Sequence, residues 1–479
     1  MNKLYLGLLI SLITCSLTAQ TFTEITGTPF NGNYGLIAFA DIDNDNDQDV
    51  SIGSNLYMND GSGSFQEVMW NPINGLYMHA IAFADIDNDN DQDLVITYIE
   101  HDSWEPMFTY IHTKLYINDG NGIFSEDSSF NDVGHGAGSI SFADVDNDTD
   151  MDLLITGYTY IYGWYYFYPQ TILYLNDGIG GFTESTGNTF AGIGNSSTAF
   201  ADIDNDNDLD VLIAGYSDSY ALITKLYTND GTGIFNELPA TALNGVSVSG
   251  SIAFADIDGD ADEDLLIAGL DESYEKITKL LTNDGSGNFN VIAGVPFEIL
   301  SNASIGFADV DNDNDQDVLI GGISDSLGHI TKLYTNDGLG NYSEMVETPF
   351  ENFGASIIAF ADIDDDNDQD LLVSGSNNAN QKMSKLYANN TITTDITNAN
   401  DLLKGVSIYP NPSQGQITVD LNELSDVSIN VYSLNGSRVY HRENIPGTQY
   451  QFELNGEAGI YILEVSTQQE TQRYKLVKN

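Results

Sequence analysis

Residues 199–238 read AFADIDNDNDLDVLIAGYSDSYALITKLYTNDGTGIFNEL. Within them Asp202 to Asp210 spell Asp-x-Asp-x-Asp-x-Asp-x-Asp, and the 479-residue chain carries that nine-residue string seven times. The copies are Asp41, Asp43, Asp45, Asp47 and Asp49; Asp85, Asp87, Asp89, Asp91 and Asp93; Asp144, Asp146, Asp148, Asp150 and Asp152; Asp202, Asp204, Asp206, Asp208 and Asp210. They continue with Asp256, Asp258, Asp260, Asp262 and Asp264; Asp309, Asp311, Asp313, Asp315 and Asp317; Asp362, Asp364, Asp366, Asp368 and Asp370. Like charges ~6 Å apart repel by about 0.7 kcal/mol even in water, and five carboxylates make ten pairs. Such a loop needs a counter-charge to fold. Oxygen-only ligands on a short loop suit a hard divalent cation, and calcium first among them. Up to seven calcium ions are expected.

The loops start 44, 59, 58, 54, 53 and 53 residues apart. A period in this range marks a solenoid, a propeller or an array. Each unit runs as an apolar stretch, the Asp loop, a second apolar stretch (DLLIAG), a polar connection, TKLYTND, a Gly turn and a short strand such as FNEL. Segments of four to seven residues bounded by Gly, Asn and Asp, without helical periodicity, read as strands. Asn-Asp-Gly turns starting at Asn59, Asn118, Asn176, Asn229, Asn283 and Asn336 join antiparallel neighbours. Four antiparallel strands repeated seven times predict an all-β fold, a seven-bladed β-propeller with calcium-binding loops. The last unit stops at KLYANN without a fourth strand, and TFTEI (residues 21–25) resembles the missing one, so the N-terminal strand is expected to close the ring.

These residues resemble the FG-GAP/VCBS family of propellers, also found in the head of integrin α subunits. The resemblance covers about residues 21–390. It implies that the side chains at positions one, three, five and nine of each loop bind calcium, with the backbone carbonyl at position seven; in the first loop these are Asp41, Asp43, Asp45, Asp49 and the carbonyl of Asp47. The family favours Gly at position six, where this chain has Asn46, Asn90, Asn207, Asn314 and Asn367. Asn tolerates left-handed backbone. Thr149 and Ala261, at the same position, suit it less well and mark the third and fifth loops as exceptions.

Residues 1–19 read as a secretory signal: one Lys, an apolar core too short to span a membrane, and Leu-Thr-Ala before Gln20. The only cysteine is Cys15, so the mature chain has no disulfide. Residues 20–390 are expected to form the propeller, 391–404 a polar linker and 405–479 a small Ig-like β-sandwich of alternating strands. The last segment is similar to the type A C-terminal sorting domain of type IX secretion cargo, through Tyr409-Pro410-Asn411-Pro412, Gly415, Leu434-Asn435-Gly436, Gly459-Ile460-Tyr461 and Lys475-Leu476-Val477-Lys478. That resemblance implies export by the type IX machinery to the outer-membrane surface or beyond, with removal of the domain. The formal net charge is −58, and all three arginines (Arg438, Arg442, Arg473) lie in this segment. Nucleic acid and anionic membrane surfaces are therefore poor partners, and no transmembrane segment is expected.

In the second and third units the connection between the second and third strands is unusually aromatic. The candidate ligand residues are Trp104, Phe108, Tyr110, Tyr162, Trp164 and Tyr166, since exposed amphipathic rings suit sugar stacking or a protein hot spot. His79, His101, His112 and His135 are expected in loops of the same two units, but their spacing fits no metal motif and no nucleophile context appears. The expected function is binding rather than catalysis: a secreted cell-surface adhesin or glycan- or protein-binding module. The alternative is a surface polysaccharide lyase or hydrolase.

Overall fold

A computed structural model describes residues 22–30, 32–101, 109–130, 134–161, 166–238 and 250–390, and, further on, 406–409, 413, 415–421, 427–433, 438–445, 448–454, 459–467 and 471–478. Every regular element among these residues is a β-strand. No helix among them is long and apolar enough to cross a membrane. The chain divides into two compact units, Met1–Thr391 and Ile392–Asn479.

The first unit contains seven four-stranded antiparallel sheets. The fourth is representative: Gly194–Ala201, Asp210–Tyr216, Leu222–Asn229 and Phe235–Leu238, each paired with the next. Its second strand, DVLIAGY, is buried at its first six positions, as a continuous apolar run must be when both faces of a sheet are covered. The Asp loop joins the first strand to the second. The seventh sheet starts with Phe353–Ala361, Asp370–Asn377 and Lys382–Asn389. Its fourth strand is Phe22–Ile25 from the other end of the chain, with Phe22 opposite Asn389 and Ile25 opposite Leu386. The Lys–Glu pairs that tie third strands to fourth strands elsewhere (Lys114–Glu126, Lys225–Glu237, Lys332–Glu344) recur there as Lys385–Glu24.

Seven apolar cores lie between consecutive sheets, and one of them joins the seventh sheet to the first. In that last core Ile52 and Tyr57 of the first sheet pack with Leu372 and Leu386 of the seventh. Hydrogen bonds repeat the cycle. The Nδ2 of Asn118 donates to the carbonyl of Ile42 in the preceding sheet, Asn176 to Ile86, Asn229 to Val145, Asn283 to Ile203, Asn336 to Ile257 and Asn389 to Val310. Asn59 of the first sheet donates to Ile363 of the seventh at 2.8 Å. Six of these seven asparagines begin Asn-Asp-Gly turns, yet their side chains serve as latches between sheets.

The second unit holds a three-stranded sheet (Ser407–Tyr409, Gln416–Asp420, Gln449–Glu453) and a four-stranded one (Arg438–Ile445, Val427–Ser433, Gly459–Ser466, Thr471–Lys478). One core takes Ile417, Val419 and Phe452 from the first and Ile429, Val431, Leu463 and Leu476 from the second.

Candidate metal centres and the exposed aromatic face

Each Asp loop is folded by its own carboxylates. In the first loop Asp41 accepts the amides of Asp45 (Oδ1, 3.2 Å) and Asn46 (Oδ2, 2.9 Å), and Asp45 Oδ1 accepts the amide of Asp47. Asp49 is 1 % exposed, and its oxygens accept the amides of Ile42 and Asn59 at 2.9 and 2.7 Å. The fourth loop repeats each bond through Asp202, Asp206 and Asp210. Two residues per loop turn left-handed. At position six φ lies between 65° and 78° in all seven loops, Thr149 (78°) and Ala261 (71°) included. The two exceptions anticipated at that position therefore keep the common geometry, because the amides of Thr149 and Ala261 bond Asp144 and Asp256 as the asparagine amides do. Position four is also left-handed throughout, from 57° at Asn312 to 76° at Gly259. Four of its five asparagines reach the next loop: Asn44 to Asp91, Asn88 to Asp150, Asn147 to Asp208 and Asn205 to Asp262.

Position three is different. Oδ1 of Asp43, Asp87, Asp146, Asp204, Asp258, Asp311 and Asp364 is buried and has no hydrogen-bond donor. Burial first, and then the position-five carboxylate, raise the pKa of this group in all seven loops, to about 6 in Asp311. A buried acceptor with no donor is costly unless something cationic meets it. Ligand oxygens of Asp85, Asp87 and Asp93 lie within 4.8 Å of one another, as do those of Asp144, Asp146 and Asp152 and of Asp202, Asp204 and Asp206. An all-oxygen set with at least one unsatisfied member per loop (two in the seventh, Asp364 and Asp368) fits a hard cation.

Of the aromatic candidates, Trp104, Phe108, Tyr162 and Trp164 lie outside the described residues, and Tyr166 is described only as the start of the strand Tyr166–Leu175. Tyr110 is 39 % exposed. The histidine placements change. His79, His101 and His112 sit in strands rather than loops: His79 in the eight-residue first strand Tyr77–Ala84, and His101 and His112 in the nine-residue strands of the second sheet's aromatic hairpin. His112 stacks on Tyr98 and lies 3.3 Å from Glu100, while His79 packs against Tyr77 and burial lowers its pKa.

Sequence reasoning missed a wider pattern. The exposed aromatic rings described in the first unit are Tyr34, Trp70, Tyr77, Tyr110, Tyr168, Tyr220 and Tyr274. All seven stand at the strand ends away from the Asp loops: in the connections between second and third strands, in those between one sheet and the next, or within three residues of the strand ends that meet them. Lys382 lies over the Tyr34 ring, 4.3 Å from its centroid. One legible signal existed, since Tyr220 and Tyr274 hold the same place in YSDSYAL and LDESYEK.

Residues 202–267 and 309–373 match the FG-GAP-like repeat family, and residues 407–479 match the secretion system C-terminal sorting domain. The chain carries both, and the sorting domain directs it through type IX secretion to the cell surface or extracellular space. No curated protein matches it. Among solved structures it is similar to a rhamnogalacturonan lyase, YesW (12 % identity, 77 % of this chain and 75 % of that one, TM-score 0.38). It is also similar to the β-fructofuranosidase from Schwanniomyces occidentalis complexed with fructosyl-erythritol (11 % identity, 86 % and 90 %, TM-score 0.32). At these scores neither likeness carries an argument about activity.

Proposed function

We propose that these FG-GAP-like repeats and the sorting domain make one device: a calcium-loaded, closed seven-bladed β-propeller, residues 20–390, that captures an extracellular glycan or protein at the cell surface. Residues 391–404 are its linker, and residues 405–479 an Ig-like domain that engages the type IX machinery. The seven sheets are the blades. Support for closure comes from the seventh-to-first core and from the Asn59–Ile363 bond that completes the cycle of latches. Support for metal comes from the unsatisfied position-three oxygen in every loop. The side chains at positions one, three, five and nine, with the position-seven carbonyl, would hold the ion. Calcium, when bound, supplies the charge that lets five carboxylates share one loop.

The observation that carries the binding reading is the separation of the two ends: carboxylate loops at one, exposed rings at the other. Rings with an apolar body and a polar tip are what a recognition surface uses, and exposed apolar surface gathered at one end marks an interaction site. This is a binding module rather than an enzyme. Two measurements on the full chain test it. In millimolar calcium the melting temperature should stand well above its value in chelator, and equal melts would refute metal loading. An array of neutral glycans and cell-surface proteins should give saturable binding that weakens on chelation; none at all would refute capture.

A further inference from the structure

The connections between second and third strands in the fourth, fifth and seventh sheets are one turn built three times. Ser217 donates to the Ala221 carbonyl and Tyr220 back to Ser217; Asp271 donates to Glu275 and Tyr274 to Asp271; Asn377 donates to Gln381 and Asn380 to Asn377. The residue before the closing position is left-handed in each, with φ of 59° at Tyr220, 62° at Tyr274 and 56° at Asn380. Asparagine adopts that backbone at least cost, whereas a bulky aromatic there is an outlier. Neither tyrosine recovers the cost by burial, since the rings are 61 % and 57 % exposed. Strain held by a solvent-facing ring points to what the ring presents.

Beside Tyr220 opens a cavity of about 360 Å³, walled by Ile99, Ile111, Ala137, Tyr158 and Asn195. It is built with effort. Ala137 and Asn195 are left-handed too (φ 52° and 45°), and the Asn195 amide bonds the Ala137 carbonyl. A Cβ on Gly194 would lie 2.3 Å from the Tyr158 ring, so only glycine lets that ring form the wall. Tyr158 and Tyr220 line the same cavity; burial first, and then the Tyr220 phenol, raise the Tyr158 pKa, while a hydrogen bond with the Asn195 side chain lowers it. Apolar walls with a few convergent polar groups are the ordinary make-up of a small-ligand site.

Resting on the capture reading above, we propose that Tyr220 and Tyr274 are stacking platforms for a neutral glycan, one sugar of which enters the cavity at Tyr158 and Asn195. The ligand class follows from what flanks the rings. Exposed Asp218 and Ser219 flank Tyr220, and exposed Glu272, Ser273 and Glu275 flank Tyr274. Carboxylates and hydroxyls beside an isolated ring can bond sugar hydroxyls, while the core of a protein-binding patch is depleted of charge. With a net charge of −58 the chain repels polyanions, so an anionic glycan is disfavoured and a neutral one meets no repulsion.

The test is calorimetric titration of the full chain in millimolar calcium with cellohexaose, laminarihexaose, mannohexaose and xylohexaose. At least one should bind, and the double variant Tyr220→Asn/Tyr274→Asn should weaken it about tenfold or more. Because asparagine relieves the turn, as Asn380 does, that variant should melt at the same temperature or higher. Tyr220→Phe/Tyr274→Phe, which keeps the rings, should keep most of the affinity. Undiminished binding by the asparagine variant overturns the site. Failure of all four sugars overturns the ligand class, and tyrosine-dependent binding of an oligolysine peptide instead would do so while leaving capture standing.

Discussion

Two aspartates of one loop have opposite reasons to be there. Asp210 is 1 % exposed with both oxygens occupied by the amides of Ile203 and Asn229, so it is a structural acceptor whether or not metal is present. Asp204 has a buried oxygen with no donor, so its place depends on what binds the loop. Asp210→Ala should therefore cost about 2–5 kcal/mol even in chelator, because two buried amides lose their acceptor. Asp204→Asn should lower the melting temperature only in calcium and remove one ion from the stoichiometry measured by equilibrium dialysis. A loss of equal size in chelator would show that position three is structural as well.

At the scale of the element, the loop conformation outweighs residue preference. Thr149 and Ala261 hold the left-handed backbone that asparagine holds elsewhere, since their amides are bound by Asp144 and Asp256. Replacing each by Asn should stabilise the chain by up to about 1 kcal/mol per site, read as a higher melting temperature. The strand Phe22–Ile25 is the other decisive element. It covers the edge of Lys382–Asn389, pairs Glu24 with Lys385 and sets Phe22 5.0 Å from Phe350. Deleting residues 22–25 should lower stability and expose a pairing edge, so light scattering should detect self-association.

At the scale of the molecule, the buried position-nine aspartates couple stability to pH. Burial raises them to about 7 in Asp49, Asp93, Asp210 and Asp370, about 6 in Asp152 and Asp264, and about 8 in Asp317. A carboxyl whose folded pKa exceeds its unfolded value of 3.8 binds more protons when folded, so stability falls as pH rises between the two. The metal-free chain should thus melt higher at pH 5 than at pH 8. Calcium competes with those protons, so in calcium the trend should reverse, with affinity falling as pH drops through 7 to 6. A pH-independent melt of the metal-free chain would contradict this linkage.

The repeat, the all-β class, the carboxylate loops and the sorting segment were legible from the chain alone, because charge density, a 53- to 59-residue period across most units and strand alternation are properties of local sequence. Asn59 shows where that ends. Its neighbours announce a turn, but its role is to bond Ile363, a residue brought opposite only when the seventh sheet meets the first. The exposed face is the same kind of fact. Tyr220 and Tyr274 share a place in their repeats, but only the packed sheets decide which rings stay in water, since exposure belongs to a surface and a surface exists only after the core has formed.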